Sequence, residues 1–176
     1  MLQKKICMLG SFSVGKTSLI RRYVQSIFNE GYLTTVGVKI DKKQVRVGDA
    51  DLMLMLWDLA GEDEFATIRP TQLRGMAGYV LVIDGSRKQS FDVAMELHET
   101  ARKQMGHLPM VFALNKADLK AQWMLDEEAI ERLQATGYPV IETSARLDTN
   151  VEDMFLSLGR QLVDSSTNSA FAMEGE

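Results

Sequence analysis

Gly10-Ser11-Phe12-Ser13-Val14-Gly15-Lys16-Thr17 decides how this chain is read. The octapeptide fits G-x-x-x-x-G-K-[ST], the spacing of a loop that cradles phosphate. Its neighbours supply the context the pattern needs. Before it, Lys4 to Leu9 is a short run with Ile6, Cys7, Met8 and Leu9 together, a strand buried on both faces. After it, from Lys16, residues Leu19, Ile20, Tyr23 and Val24 fall on one helical stripe. Glycine lets the backbone take positive φ and come close to phosphate. Successive N–H groups can then face inward as an anion nest, reinforced by the helix N-terminus. Gly10, Ser13, Val14, Gly15 and Ser18 are therefore candidate cradle residues. Lys16 brings charge to the β- and γ-phosphates, and Thr17 brings a hydroxyl to Mg²⁺.

Two later motifs complete a nucleotide constellation. Asp58-Leu59-Ala60-Gly61 follows the apolar run Leu52 to Trp57. A carboxylate at such a strand end can hold Mg²⁺ through water, and the Gly61 N–H can meet a γ-phosphate. Asn115-Lys116-Ala117-Asp118 follows the run Met110–Leu114. Asp118 can accept two hydrogen bonds from guanine, at the ring N–H and the amino group, whereas adenine would leave a buried carboxylate unpaired. Sites built on such bonds discriminate by roughly 10⁴–10⁵. Thr143-Ser144-Ala145, after the last strand, completes the set.

Between these motifs the pattern alternates strands with helices. Phe28 to Thr35 reads as a loop, and Val36–Val47 turns through Gly48-Asp49-Ala50 into Leu52–Leu59 as a hairpin. Gly61 to Gly75 is polar, with Pro70 inside it, so any helix there is short or irregular. Tyr79–Asp84 is a third buried run. Gln89–Met105 is an amphipathic helix with Phe91, Met95 and Leu97 or His98 inward. Asp126–Gln134 reads as a helix, Val140-Ile141 as a short strand, and Val151–Val163 as a closing helix capped by Thr149 or Asn150. Asp164 to Glu176 is small, polar and aperiodic, and reads as a mobile tail after a domain spanning residues 1–163.

Such alternation predicts an α/β fold, a mostly parallel sheet with helices on both faces. The 176 residues suit one domain. A net charge of −4 speaks against a nucleic-acid partner. No apolar run approaches the roughly 20 residues that span a bilayer. The lone Cys7 has no internal disulfide partner, which points to a reducing, cytoplasmic compartment. The chain starts without Met-Gly and ends Ala-Met-Glu-Gly-Glu, so a direct lipid anchor is not expected. Most of the eleven methionines, among them Met8, Met53, Met55, Met95 and Met110, read as core filler.

With these motifs in order, the chain resembles the small Ras-like GTPases, and the Rab family in particular. Trp57-Asp58-Leu59-Ala60-Gly61-Glu62-Asp63-Glu64-Phe65 is similar to the Rab W-D-T-A-G-Q-E-R-F, and Leu73-Arg74-Gly75-Met76-Ala77-Gly78 to Y-R-G-A-x-G. Val36-Gly37-Val38 resembles the Rab I-G-V. The resemblance covers residues 4 to about 163. It implies a P-loop NTPase fold, a six-stranded sheet with one antiparallel edge strand. It implies GTP and GDP as ligands and Mg²⁺ held by Thr17, Thr35 and Asp58. Phe28 would pack on guanine, and Ser144, Ala145 and Arg146 would complete the base pocket with Asn115, Lys116 and Asp118. Lys16, Thr35, Gly61 and Glu62 would surround the reacting phosphate. Effectors, exchange factors and activating proteins would meet residues 29–40 and 60–75.

Several positions depart from the family pattern. Glu62 stands where the family has the glutamine that orients attacking water. A carboxylate accepts a hydrogen bond from that water but donates none to the transition state. Phe12 replaces a small residue and should obstruct an arginine finger arriving from outside, worth roughly 10³–10⁵ in rate. At the presumed effector face, Ile40, Trp57 and Gln72 stand where Rab proteins have an aromatic cluster. Arg146 replaces a lysine, and His98 and His107 match no motif. Two readings follow: a slow GTPase switch, or a GTP-binding interaction module with negligible hydrolysis. An ATP-using phosphotransferase is opposed by Asn115, Lys116 and Asp118.

Overall fold

A computed structural model describes residues 1–24, 32–33, 38–59 and 68–173. The first strand, β1 (Leu2–Leu9), ends in four consecutive buried residues, and such a strand needs a layer on each side. Ile6 and Met8 point into one core and Cys7 and Leu9 into the other, as the two-residue period of a strand requires. The first core is closed by helices α1 (Lys16–Val24) and α5 (Val151–Met173), where the Tyr23 and Phe155 rings stack at 3.9 Å. The second is closed by α3 (Lys88–Met105) and α4 (Glu127–Gln134), which bring Phe91, Ala94, Ala129 and Leu133 against Tyr79, Leu81 and Phe112.

The remaining strands are β2 (Tyr32–Leu33), β3 (Lys39–Val47), β4 (Ala50–Asp58), β5 (Met76–Asp84), β6 (Met110–Asn115) and β7 (Val140–Glu142). Among the described residues they lie in the order β2-β3-β4-β1-β5-β6-β7. Only β3 runs against the others. The expected six-stranded, mostly parallel sheet is present, and the two-residue β2 extends its β3 edge. Tyr32 and Leu33, read above as loop, pair with Ile40 and Lys39. A two-residue strand has no period of its own and exists because β3 offers an open edge.

Other elements shift at their ends. The four-residue α2 (Pro70–Leu73) begins at Pro70, where a missing N–H is harmless. Asp126 caps α4, its side chain accepting the Ala129 N–H at 2.9 Å. A 3₁₀ helix, Ala117–Gln122, follows β6 and has no counterpart in the sequence pattern. The Asn150 carbonyl accepts the Met154 N–H at the start of α5, but its side-chain amide donates to the Glu142 carbonyl. The largest difference is in α5. The segment expected as aperiodic tail from Asp164 is helical through Met173. Its small polar side chains turn back onto the helix, Ser166 Oγ donating to the Leu162 carbonyl and Thr167 Oγ1 to that of Val163. Met8 and Met110 are fully buried, whereas Met53, Met55 and Met95 are only half-buried, so the filler reading holds for the first two.

This topology positions the site. Chains of parallel strands bind ligands beyond their carboxyl ends, where the order reverses. Here β1 lies between β4 and β5, and the ends of β1, β4, β5, β6 and β7 carry Gly10, Asp58, Asp84, Asn115 and Glu142.

Candidate functional site

The phosphate loop leaves β1 at a close approach. A Cβ on Gly10 (φ +150°) would lie 2.5 Å from the Val82 carbonyl oxygen, so no larger residue fits. Gly15 (φ +105°) has the Asn115 Nδ2 in that position, 2.2 Å from a would-be Cβ. Ser13 also takes positive φ, at +60°, although it carries a Cβ. The Gly15 carbonyl accepts the Leu19 N–H at 2.9 Å and starts α1. Lys16 is 4% exposed, and its Nζ donates to the carbonyls of Gly10 and Ser11, both at 2.8 Å. Burial pulls the Lys16 ammonium down to about 8, partly offset by the charge of Asp58. The Thr17 hydroxyl donates to Asp58 Oδ2, so the two candidate metal oxygens are neighbours. Ser18 is exposed one residue on.

The second half of the site is held by side chains. Asn115 is buried, and its Nδ2 donates to the Val14 carbonyl at 2.9 Å. Its Oδ1 accepts from the Thr143 hydroxyl at 3.2 Å and the Ala145 N–H at 3.3 Å. One residue of the base-selecting motif thus ties the phosphate loop to the Thr143–Ala145 segment. Asp118 Oδ1 accepts the Ser144 hydroxyl at 2.7 Å. Lys116 adopts left-handed φ (+66°) and pairs through Nζ with Asp84 Oδ2 at 2.7 Å. Burial works against the charge on Asp84, but hydrogen bonds from Lys116 and Ser86 outweigh it and hold the carboxyl below its ordinary range. Arg146 is exposed at the rim. A cleft of about 400 Å³ is lined by Gly15, Ser18, Arg22, Lys116, Asp118 and Arg146, among others.

Of the residues singled out from sequence, the structure brings together Gly10, Ser13, Val14, Gly15, Lys16, Thr17, Ser18, Asp58, Asn115, Lys116, Asp118, Ser144, Ala145 and Arg146. Phe28, Thr35, Gly61 and Glu62 lie outside the described residues. Of the three positions where an aromatic cluster would stand, Ile40 is buried and Trp57 and Gln72 are half-exposed.

Sequence reasoning missed several residues that support the site. Arg22 donates to the carbonyls of Ala145 and Arg146, at 2.8 and 3.0 Å. Trp123 donates to the Lys116 carbonyl at 2.9 Å and packs so closely on Gly85 that a Cβ there would meet its ring at 2.1 Å. Asp84 was legible in principle, since it closes β5 as Asp58 closes β4. A larger cleft, about 1040 Å³, lies against α3 and is lined by Asp92, Glu99, Arg102 and Arg132, among others. It holds none of the motif residues. His98, at its wall, is buried and bonds Tyr79 Oη through Nδ1 at 3.0 Å, so it is a core histidine.

The chain is similar to known proteins over most of its length. The family model described as "Ras family" matches residues 5–164. The GTP-binding protein YPT1 of Saccharomyces cerevisiae is 34% identical over 163 residues, covering 92% of this chain and 79% of the relative. Ras-related protein Rab-1 of Theileria annulata is 32% identical over 166 residues, 93% of this chain and 76% of its own length. Ras-related protein SEC4 of Saccharomyces cerevisiae is 30% identical over 157 residues, 89% and 73%. No helix among the described residues is long and apolar enough to cross a membrane.

Proposed function

The chain belongs to the Ras family, and from that premise we propose how its nucleotide site works. As a Rab-like member it is a GTP-binding molecular switch and a GTPase. The site assignment rests above all on the Asn115–Val14 bond at 2.9 Å, because it joins the base-selecting motif to the phosphate loop through one buried side chain.

In our reading Asp118 accepts from the ring N–H and amino group of guanine, and Ser144 holds its carboxylate in place. Lys16 releases the carbonyls of Gly10 and Ser11 and donates to the β- and γ-phosphates instead. The low local polarity that depresses its proton affinity also strengthens its pull on phosphate. Thr17 and Asp58 suit Mg²⁺: two hard oxygen donors side by side, to be completed by phosphate and water. Bound there, Mg²⁺ would neutralise charge on the transferring phosphoryl group. Thr35 and Gly61 place the attacking water. Glu62 lacks the donor that a glutamine would offer, and hydrolysis is therefore slow. Phe12, 48% exposed, covers the approach an external arginine would need. The two loops at 29–40 and 60–75 meet effectors and regulators. The buried Cys7 thiol, which donates to the Gln72 carbonyl and is in no disulfide, suits a reducing, cytoplasmic compartment.

Single-turnover hydrolysis of Mg²⁺-GTP by the full chain tests this. The expected result is GDP formed slowly over hours, faster in Glu62→Gln. No GDP above a buffer blank would leave a binding module without turnover, and no binding of either nucleotide would remove the whole reading.

A further inference from the structure

We propose that Arg87 is a positioning residue for phosphate binding. Its guanidinium holds the Phe12–Ser13 peptide in the one orientation that presents the Ser13 N–H to the nucleotide. The inference rests on the guanine-nucleotide reading above and adds a residue outside every nucleotide motif.

Ser13 is the weak point of the loop. Its φ of +60° suits glycine, and a side chain there disfavours the conformation. Something must hold it. Arg87 Nη1 donates to the Phe12 carbonyl at 2.7 Å, a short bond from a permanently charged donor. A trans peptide is planar, so its carbonyl and the following N–H point opposite ways. Fixing the Phe12 carbonyl on Arg87 therefore fixes the Ser13 N–H on the side away from Arg87.

Arg87 is itself anchored. Its N–H donates to the Asp84 carbonyl at 3.0 Å, and its own carbonyl accepts Ser90 Oγ at 2.7 Å. Asp84 is fully buried and bound by Ser86 N and Oγ at 2.9 and 2.6 Å, besides Lys116. The Met124 N–H closes on the Gly85 carbonyl at 2.8 Å, under the Trp123 ring. The turn that carries Arg87 is thus clamped to the base-selecting motif, and the guanidinium carries that constraint to the phosphate loop.

The test measures GDP dissociation from the full chain by displacement of a fluorescent GDP. Arg87→Ala and Arg87→Lys are each made with Ser13 intact and with Ser13→Gly. Arg87→Ala is expected to speed dissociation by about tenfold, the scale of one hydrogen bond to a charged group. Arg87→Lys, which can still donate one bond, recovers most of it. With Ser13→Gly, loss of Arg87 costs less than about twofold, because glycine takes the left-handed conformation unaided; the difference is the coupling between the two residues. The ³¹P spectrum of bound GDP shifts in Arg87→Ala and returns in the double variant. Unchanged dissociation in Arg87→Ala overturns the proposal. So does equal acceleration in both backgrounds, which would make the bond generic stabilisation, or a loss confined to hydrolysis. If the unaltered protein fails to bind GDP, the guanine-nucleotide reading falls first, and the two failures are told apart.

Discussion

Asn115 and Lys16 belong to the two halves of one site and are held in opposite ways. Asn115 spends its amide on Val14, Thr143 and Ala145, three groups that no nucleotide need displace. Lys16 spends its ammonium on the Gly10 and Ser11 carbonyls, partners that a phosphate can replace. In the proposed reading a bound nucleotide leaves the contacts of the base end in place and takes over those of the phosphate end. Preorganised polar groups serve discrimination, since a wrong partner leaves them unpaired. Exchangeable charge serves affinity for any polyphosphate. The difference teaches that selectivity and tightness should be separable by substitution.

The largest effect should come from the base end. Asp118→Asn exchanges an acceptor pair for an acceptor and a donor, which suits xanthine rather than guanine. Competition between GDP and XDP should show the preference move by about 10⁴. An unchanged preference would take Asp118 out of the pocket and dissolve the contrast. Lys16→Met comes next. Removing one partner of a buried charge contact costs about 2–5 kcal/mol, so GDP affinity by calorimetry should fall by about 30-fold to several thousand-fold. The guanine-over-xanthine ratio should stay put. A ratio that falls with it would mean that the two ends are not separable. Thr143→Val sharpens the base end from behind. It removes one donor to Asn115 Oδ1 but leaves the Ala145 N–H on the same oxygen. About 1 kcal/mol is at stake, so GDP should dissociate some three- to tenfold faster. No change would mean that the Ala145 bond alone sets the Asn115 amide.

The two ends also differed in how far the sequence exposed them. The side chains proposed to touch a nucleotide sit in short fixed spacings after apolar runs, and both motifs stood out. Side chains that support them do not. Arg22, Trp123 and the pair Asp84 and Arg87 come from three separate segments and meet only because β1 lies between β4 and β5 and the 3₁₀ helix folds over Gly85. The strands β1, β5 and β6 were legible because they are buried on both faces and bounded by polar residues or glycine. The end of α5 was not. Ser166 and Thr167 look like tail residues until their hydroxyls are seen bonded to the preceding turn, with Lys4 Nζ donating to Ser166 Oγ at 2.9 Å. Polarity in a window cannot tell a solvated tail from a helix that satisfies its own hydroxyls.

The smallest expected effect tests whether both ends are independent of the far core. His98 is buried among Tyr79, Phe112 and Tyr138, with Arg102, Glu99 and His107 as its charged or titratable neighbours. Burial first, and the Arg102 charge second, lower its proton affinity, partly opposed by Glu99. The Tyr79 phenol, held protonated by its own burial, shares a hydrogen bond with Nδ1 at 3.0 Å. The folded pKa lies below the unfolded value of about 6.5. Between the two the unfolded chain binds the proton and the folded chain does not, so stability falls as pH drops through that window and levels off beneath it. His98→Gln offers Tyr79 either an acceptor or a donor and cannot titrate. Its urea midpoint should lose the part of the acid slope that begins near pH 6.5, while GDP dissociation at pH 7.5 stays as in the unaltered protein. An identical acid slope would mean that His98 binds its proton equally well in the folded and unfolded chains. An altered dissociation rate would mean that the core behind β5 and β6 reaches the base pocket, and that the two ends answer to a third region.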